Sequence, residues 1–446
     1  MKRILITLQM LILMLGCEAF VENTSPSISY VTDEDINDPA NIPFLINGVL
    51  NDYSRAHSYV SLWADLLSDV MVNDGRVQGS TDVRGEYLDN GTYDPTVGTY
   101  APPYQAIAQV WRSANSLRLK LDVMDGDQSA EQEGYFTAYL YQALPYYLLG
   151  TYYGNGPTYP DHGGATLNES VFMSTNDLYS MALAYFDSAM VYADEHQQKI
   201  IHSLIGRQYL YAGNYSASAQ HAIQGLQQGD DPFEAVPGEE NPWPNWYWYE
   251  AGSNRTRYTL ASRFKHLLGE DFEDTNGNGT WDTSEVFIDC AVPGADVGQG
   301  DGIYNGPSEP EEITRLLMSA AAMTPGQSYV RYFQMKYPDA DSPIPVINWQ
   351  ENHLILAELE LRGESVNVSA VDAVNAVRAF HGLSSLDSID LNLLLHERDK
   401  ELFCQGQRLI DQNRFPDLLS WHISGENTWH YLPIPYEEEL ANPNYP

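Results

Sequence analysis

The chain has 446 residues, of which 61 are acidic and 23 are basic, so its formal net charge at neutral pH is −38. A surface this acidic repels phosphate, which argues against nucleic acid and anionic lipid as ligands. Hydrophobic residues make up 43% of the chain and aromatic residues 12%, which is enough to bury a large core and excludes disorder over the full length.

The amino terminus predicts export. Two basic residues precede the apolar stretch Ile4–Leu15, which is too short to span a bilayer. The stretch ends at Met14–Cys17, which resembles the lipobox of bacterial lipoproteins, in which the cysteine is acylated and becomes the first residue of the mature protein. The alternative is that Cys17 is incidental to an ordinary secretory signal. Residues 18–44 read as a polar tether between the lipid and the folded body.

Residues 45–228 predict a helical scaffold. Apolar residues recur there at spacings of three and four, which favours amphipathic helices. The predicted helices are Asn51–Val72, Tyr104–Met124, Gln132–Tyr153, Asn176–Ala193 and Ile200–Leu226. Around the Gly213–Asn214 turn, small residues and tyrosines follow a pattern similar to the helix hairpin of a tetratricopeptide repeat.

The helical pattern stops in an insertion over residues 229–310 and resumes in a second helical part over residues 311–446. The later predicted helices are Glu311–Met323, Glu351–Arg362, Val368–Phe380 and Leu391–Gln412. We expect the tail from Trp429 to Pro446 to be extended over the surface. Strand signals are few and short, so the sequence predicts a mainly α-helical fold with long irregular loops.

The insertion contains the densest aromatic run of the chain, Pro242–Tyr249. Tryptophan and tyrosine suit surfaces where one edge of the ring is apolar and the other is wet, and the apolar faces of sugar rings stack on them. A run of this kind in a loop suits a platform for a glycan. The candidate ligand contacts are Trp243, Trp246, Tyr247 and Trp248; the alternative is that two or three of these rings cap the core beneath the loop.

The segment Asp274–Glu285 fits the calcium loop of an EF-hand from end to end. Its predicted ligands are oxygen atoms of Asp274, Asn276, Asn278, Thr280, Asp282 and Glu285, with Thr280 contributing its carbonyl. Because Val286–Ile288 reads as a strand and not as an exit helix, we expect a structural Ca²⁺ that stiffens the loop. The alternative is a solvated acidic turn. A second acidic cluster over residues 294–309 is only suggestive of another site.

Catalytic signatures are missing from the sequence: there is no zinc-protease motif, no nucleophile elbow, no phosphate loop and no dinucleotide fingerprint. We therefore expect a binding protein and not an enzyme. After Cys17, only Cys290 and Cys404 remain. They could form one disulfide in an oxidising compartment, but Cys404 lies on an apolar helical stretch where a buried thiol is expected, so no disulfide is assumed.

Six segments of the chain resemble the SusD/RagB family of nutrient-binding outer-membrane lipoproteins. His396–Phe415 carries the best match, an acidic-basic helix that runs into Gly-Gln-Arg, a hydrophobic pair, Asp and Arg. The others are an early helix containing Tyr104, Trp111 and Asn115, and the segments Tyr147–Pro157, Glu351–Glu358, Asn375–Leu383 and Leu432–Pro435. Within the best match, Arg408, Asp411 and Arg414 are three residues apart, so we interpret them as scaffold charges that fix how helices pack.

The resemblance implies a tetratricopeptide-like scaffold, lipid-anchored through Cys17 at the cell surface in the outer membrane, that captures an oligosaccharide and delivers it to a TonB-dependent, SusC-like transporter. Relatives hold their ligands with loop aromatics, and their early loop reaches the pocket, which adds Asp74, Arg76, Tyr93, Tyr100 and Tyr104 as candidate ligand contacts. Two alternatives stay open: the same fold with a peptide or other nutrient as cargo, and a secreted polysaccharide hydrolase.

Overall fold

The computed structural model describes most of the chain from residue 38 onward. Within 38–446, the residues left undescribed are 69, 74–87, 89–100, 125–127, 160–169, 238–242, 253–256, 262–272, 274, 278–280, 288–314, 316, 322–330 and 420–428. The predicted signal segment with Cys17, and also Cys290, lie outside the described residues. Cys404 is described and is a buried free thiol.

Helices dominate the described part of the chain. They are α1 Ile42–Leu67, α2 Ala101–Leu121, α3 Gln128–Leu148, α4 Thr175–Met190, α5 Glu195–Tyr211, α6 Tyr215–Ala222, α7 Trp246–Ala251, α8 Trp349–Leu361, α9 Ala370–Phe380, α10 Leu391–Glu401, α11 Arg408–Arg414 and α12 Tyr436–Ala441. A 3₁₀ turn at Pro39–Asn41 precedes α1, and a π-helical turn at Leu149–Tyr153 extends α3. The predicted mainly α-helical fold is confirmed.

The strands are short, as predicted, and pair only in twos where they are described. They are β1 Met71–Asn73, β2 Asn155–Pro157, β3 Phe172–Ser174, β4 Phe233–Ala235, β5 Tyr258–Leu260, β6 Met318–Ala321, β7 Arg331–Gln334 and β8 Ile344–Ile347. All four pairs are antiparallel: β1 with β5, β2 with β3, β4 with β8, and β6 with β7. The described helices include none that is both long and apolar enough to cross a lipid bilayer.

Successive helices pack against each other and share one large core. α3 packs between α2 and α4, α5 packs against α6, and α8 packs against α9. A Cβ atom at Gly206 would stand 3.1 Å from the backbone nitrogen of Ala222, so the small residues of α5 and α6 allow their backbones to approach closely. This is the packing that the tetratricopeptide-like pattern predicts.

Polar caps set where several helices begin. The Asp194 side chain accepts a hydrogen bond from the Gln197 backbone N–H, and the Gln197 side chain accepts one from the Asp194 N–H, which forms a capping box at α5. Ser174, Asn214 and Ser369 cap α4, α6 and α9 in the simpler way, each through one side-chain oxygen.

Four predicted elements differ from the structure. α1 begins at Ile42 and not at Asn51, and the predicted helix Ile200–Leu226 is divided into α5 and α6 by the turn at Gly213. The predicted helix Glu311–Met323 is wrong, because its described part contains strand β6, which pairs with β7. The tail is not wholly extended, since it contains the short helix α12.

The predicted helix Leu391–Gln412 is also divided, into α10 and α11, by a tight turn. Cys404 has a φ of 55° and Gly406 a φ of 73°, which a continuous right-handed helix does not allow. Because Gly406 has no side chain, its backbone fits against α1, where its N–H donates a hydrogen bond to Asp65 Oδ1 at 3.1 Å.

The charged residues on either side of this turn are ion-paired and buried, as a scaffold role requires. Arg398 holds Asp411 through two hydrogen bonds of 2.9 and 3.1 Å, and Arg408 reaches Asp399 at 3.6 Å. Arg414 pairs with Asp411 at 3.0 Å and also with Glu358 of α8. Arg408 thus pairs with Asp399 of α10, whereas Asp411 pairs with Arg398 and Arg414.

We predict that Gly406→Ala destabilises the fold much more than Gly213→Ala. Both glycines have a positive φ, so either alanine costs about 1–2 kcal/mol in backbone strain. The added Cβ meets nothing within 4 Å at Gly213 but lies 2.8 Å from Ser61 Cα at Gly406. That overlap adds about 1–3 kcal/mol. Urea unfolding of both variants measures the difference, and equal losses would contradict the close approach of the Gly406 turn to α1.

Candidate functional site

The aromatic run forms the short helix α7 and not an irregular loop. Asn245, which is fully buried, caps it: Asn245 Oδ1 accepts hydrogen bonds from the N–H groups of Tyr247 at 2.8 Å and Trp248 at 3.3 Å. The Asn245 amide donates to the Ser342 carbonyl at 2.9 Å, which ties the start of the helix to a distant segment. The rings of this segment are therefore carried on a fixed backbone.

Tyr247 points into the core, so its assignment as a ligand contact is wrong. Its side chain is fully buried, and its hydroxyl donates a 2.6 Å hydrogen bond to Asp65 Oδ2 on α1. Burial raises the pKa of the Tyr247 phenol well above its usual range, so the phenol stays protonated and acts as the donor. For this ring, the alternative interpretation of the aromatic run, in which a ring caps the core, is correct.

The remaining rings of the run lie at the surface. We define the aromatic patch as Trp243, Trp246, Trp248 and Tyr249. Trp243 is 36% exposed, and the other three are half-buried. Trp246 and Tyr249 meet edge to face, with ring centroids 5.1 Å apart, and Trp248 lies beside Tyr249 at 6.4 Å. The patch thus presents partly exposed ring surface next to solvent.

Helix α1 supports the patch from below. The Arg55 guanidinium lies over the Trp243 ring, 3.7 Å from its centroid, and Tyr59 stacks on Trp246 at 4.1 Å. The Trp246 backbone N–H donates to Ser58 Oγ at 2.7 Å. Because three residues on one face of α1 hold the segment, the patch is preorganised, which lowers the entropic cost of binding a ligand.

A cleft of about 880 Å³ lies between α1, α3, α5 and β4. Phe233, Tyr53 and Tyr141 form its aromatic floor, and Phe233 lies parallel to Tyr53 with ring centroids 6.4 Å apart. The sequence analysis missed this cleft because its walls come from four segments that are distant in the chain. The only signal was local: two asparagines, Asn47 and Asn51, are four residues apart, which is about one helical turn.

The candidates in the early loop, Asp74, Arg76, Tyr93 and Tyr100, lie outside the described residues. Tyr104, which follows this loop, is buried in α2, with its ring edge against Tyr153 at 5.4 Å. It is a core residue and not a surface ring.

Half of the predicted calcium ligands are described: Asn276, Asp282 and Glu285. Glu285 is 5% exposed, and its carboxylate accepts hydrogen bonds from the backbone N–H groups of Thr275 at 2.8 Å and Asp282 at 3.0 Å. Gly277 has a φ of 73°, which gives the tight turn of the loop, and Glu273 N–H donates to the Val286 carbonyl at 2.8 Å to close its base. The Glu285 carboxylate is therefore enclosed by the backbone of a closed loop, while Asn276 and Asp282 are exposed and the Asn276 amide donates to Asp282 Oδ2 at 2.5 Å.

This donor set fits a calcium ion, which prefers carboxylate and carbonyl oxygens. The other predicted ligands, Asp274, Asn278 and Thr280, lie outside the described residues. Within the described part, no group of three or more His, Cys, Asp or Glu side chains is placed to hold a metal ion.

Comparison with known proteins identifies the fold. No family model and no curated protein matches the sequence. Among solved structures, the chain is similar to a SusD superfamily protein from Bacteroides vulgatus ATCC 8482, with a TM-score of 0.63 and 13% identity over 91% of this chain and 98% of that one. It is also similar to a laminarin-binding SusD-like protein, with a TM-score of 0.61 and 17% identity over 92% of this chain and 100% of that one.

A third similar structure is surface glycan-binding protein A from Bacteroides thetaiotaomicron, with a TM-score of 0.62 and 16% identity over 92% of this chain and 98% of that one. The fold and the patch define a class: a helical-repeat scaffold that presents a rigid aromatic surface. Within that class, the chain has the SusD fold over about nine-tenths of its length. The resemblance found in the sequence motifs is thus confirmed for the fold.

Proposed function

We propose that this protein is a cell-surface binding protein for oligosaccharides. The observation that carries the proposal is the aromatic patch, which α1 holds rigidly at the surface with the Arg55 guanidinium over one ring. Two structures of the same fold, a laminarin-binding protein and a surface glycan-binding protein, support a glycan as the ligand class. The likeness to them lies in the fold, so the choice of sugar belongs to this chain's own residues.

The binding would use stacking and hydrogen bonds without chemical change. Partly exposed Trp243 and Trp248 would take the apolar faces of sugar rings, and the Arg55 guanidinium would donate to their hydroxyls. The rings are fixed before the ligand arrives, so little ordering accompanies binding. In this proposal the protein holds its cargo and hands it to a SusC-like, TonB-dependent transporter, and it does not hydrolyse it.

If the patch binds glycan, Trp243→Ala with Trp248→Ala should abolish the retardation of the protein in a polysaccharide affinity gel. Loss of two stacking contacts of about 1–3 kcal/mol each weakens binding more than tenfold. Phe380→Ala is the matched control, because Phe380 is also a surface ring, 61% exposed, and belongs to α9. Unchanged retardation of the double variant would remove the patch from the site, and binding of peptides alone would favour the alternative cargo.

We further propose that the loop Asp274–Glu285 binds a structural Ca²⁺. The buried carboxylate of Glu285 supports this, because it lies inside a loop that Gly277 and the Glu273–Val286 hydrogen bond close, and because the same loop carries Asn276 and Asp282. The ion would be held by the six predicted ligands and would stiffen the loop without taking part in ligand binding.

A chelator should then lower the melting temperature of the wild type. At a calcium concentration one hundred times the dissociation constant, the ion adds about 2.7 kcal/mol to the stability of the folded state. The double variant Asp274→Ala, Glu285→Ala should melt at the same temperature with and without chelator. A full chelator response in that variant would assign the ion to another site.

We also propose that Cys17 carries a lipid anchor, since the lipobox-like Met14–Cys17 follows a short apolar segment. Labelling of cells with a fatty-acid analogue should mark the wild type but not Cys17→Ser. The labelling of Cys404→Ser, which removes a buried thiol, serves as the control. Label that persists in Cys17→Ser would show that the segment is an ordinary secretory signal.

A further inference from the structure

The cleft between α1, α3, α5 and β4 has no role in the function proposed so far. Its volume of about 880 Å³ lies in the range of pockets that hold small-molecule ligands. It is half open to solvent, and its walls combine an aromatic floor with polar side chains at the rim. The chemistry of these walls restricts the kind of molecule that the cleft accepts.

The floor is fixed in position. Phe233 is half-buried, with its ring parallel to Tyr53 at 6.4 Å and edge-on to Tyr141 at 6.2 Å. Tyr53 and Tyr141 are themselves almost fully buried. Phe233 therefore offers one ring to the cleft without freedom to turn away, which suits stacking against a flat apolar surface.

Three polar side chains at the rim have unused hydrogen-bonding capacity. The side chains of Asn47, Asn51 and Glu234 line the cleft and make no hydrogen bond or ion pair within the described part of the chain. Asn51 and Glu234 are half-buried, and burial raises the pKa of the Glu234 carboxyl. A ligand that leaves such groups unpaired loses affinity, so a purely apolar ligand such as an alkyl chain is a poor match.

The charges of the cleft exclude anions. Two carboxylates, Glu133 and Glu234, line it, and no Lys or Arg belongs to its lining. A phosphate, a sulfate or a sugar carboxylate would meet repulsion there without a counter-charge. A neutral ligand with hydroxyl groups around an apolar ring face, such as a sugar, meets no such repulsion. Its hydroxyls can donate to the carboxylates while its ring face stacks on Phe233.

One row of residues on α1 connects the cleft with the aromatic patch. Asn47, Asn51, Arg55 and Tyr59 follow each other at intervals of four residues, which is about 6 Å per step along one winding face of a helix. The first two line the cleft, and the last two contact Trp243 and Trp246. A chain-shaped ligand could thus lie along α1 and reach both places.

We propose that the cleft is a second subsite for neutral oligosaccharides, so that an extended sugar chain runs from the aromatic patch along α1 into the cleft. This inference rests on the proposed glycan-binding function and narrows its ligand to uncharged chains long enough to span both places. The patch alone would hold a short ligand, and the cleft would add affinity for a longer one.

The test is calorimetry with a short and a long neutral oligosaccharide of one linkage, and with a long oligouronate. The cleft variant carries Asn47→Ala and Asn51→Ala. Both changes lie on an outer face of α1, where alanine favours the helix, so the fold should be retained. Asn367→Ala with Asn392→Ala is the matched control, because these exposed asparagines do not line the cleft.

We expect the cleft variant to bind the long neutral ligand roughly tenfold more weakly, the effect of losing two hydrogen bonds, and to bind the short one as the wild type does. The control should bind both neutral ligands with wild-type affinity. The affinity for the oligouronate should be the same in the wild type, the cleft variant and the control. Normal binding of the long ligand by the cleft variant overturns the inference, and so does a cleft-dependent gain with the oligouronate.

The two proposals fail in different ways. If the wild type binds neither neutral ligand, the glycan-binding function fails and the subsite with it. If the short ligand needs Trp243 and Trp248 while the cleft variant behaves as wild type at both lengths, only the subsite fails. If the cleft variant also loses the short ligand, the cleft is the main site and the proposed order of subsites is overturned.

Discussion

The buried carboxylate of Asp65 fixes the geometry on which the candidate site depends. It is 1% exposed, and it accepts hydrogen bonds from the Tyr247 hydroxyl at 2.6 Å and from the Gly406 N–H at 3.1 Å. One residue of α1 thus holds both the aromatic helix α7 and the turn between α10 and α11. Hydrogen bonds to a charged group contribute about 1.5–3 kcal/mol each, and a buried charge that loses its donors costs more. The surface rings are therefore positioned from inside the core.

Further buried charges hold helices together, both between the two helical parts and within the second. Arg207 of α5 pairs with Glu351 of α8 at 3.0 Å, and both are almost fully buried. Glu397 of α10 accepts from Arg315 and from Arg378 of α9, both at 2.8 Å. Burial alone would raise the pKa of Glu397, but the surrounding cations, Arg315 first, lower it to about 2. The carboxylate therefore stays ionised and paired until the pH falls far below that at which an exposed glutamate is protonated.

The parts of this structure that were predictable from the sequence are those decided by local periodicity. The amphipathic stripes gave α2, α4, α8 and α9 to within a few residues, and the Gly213–Asn214 turn marked the boundary of α5 and α6. The break in the signature helix was not predictable in this way, because apolar and charged residues continue through it. It forms where Gly406 meets Ser61 and Asp65, which is a contact across more than 300 residues of sequence.

The site was predictable only in part, for the same reason. The aromatic composition of the run was evident from the sequence. Which ring points inward depends on Asp65, which is distant in the chain. The run was predicted as a loop because its helix has only six residues. The cleft depended on four segments coming together. Phe233 read as part of an irregular insertion, yet β4 pairs with β8 and so places it over Tyr53. Such an arrangement follows from tertiary packing and leaves no local pattern.

The distribution of charge connects the scaffold to the choice of ligand. Within the described part of the chain, six basic side chains are buried: Arg207, Arg315, Arg378, Arg398, Lys400 and Arg408. Arginines that pair with carboxylates inside the core are not available at the surface. The ratio of acidic to basic residues is therefore higher on the exterior than in the composition of the chain. A cargo that carried negative charge would be repelled before it reached the patch, where Arg55 already lies over a ring. Selection for neutral ligands would thus follow from the way the core is held together, as well as from the lining of the cleft.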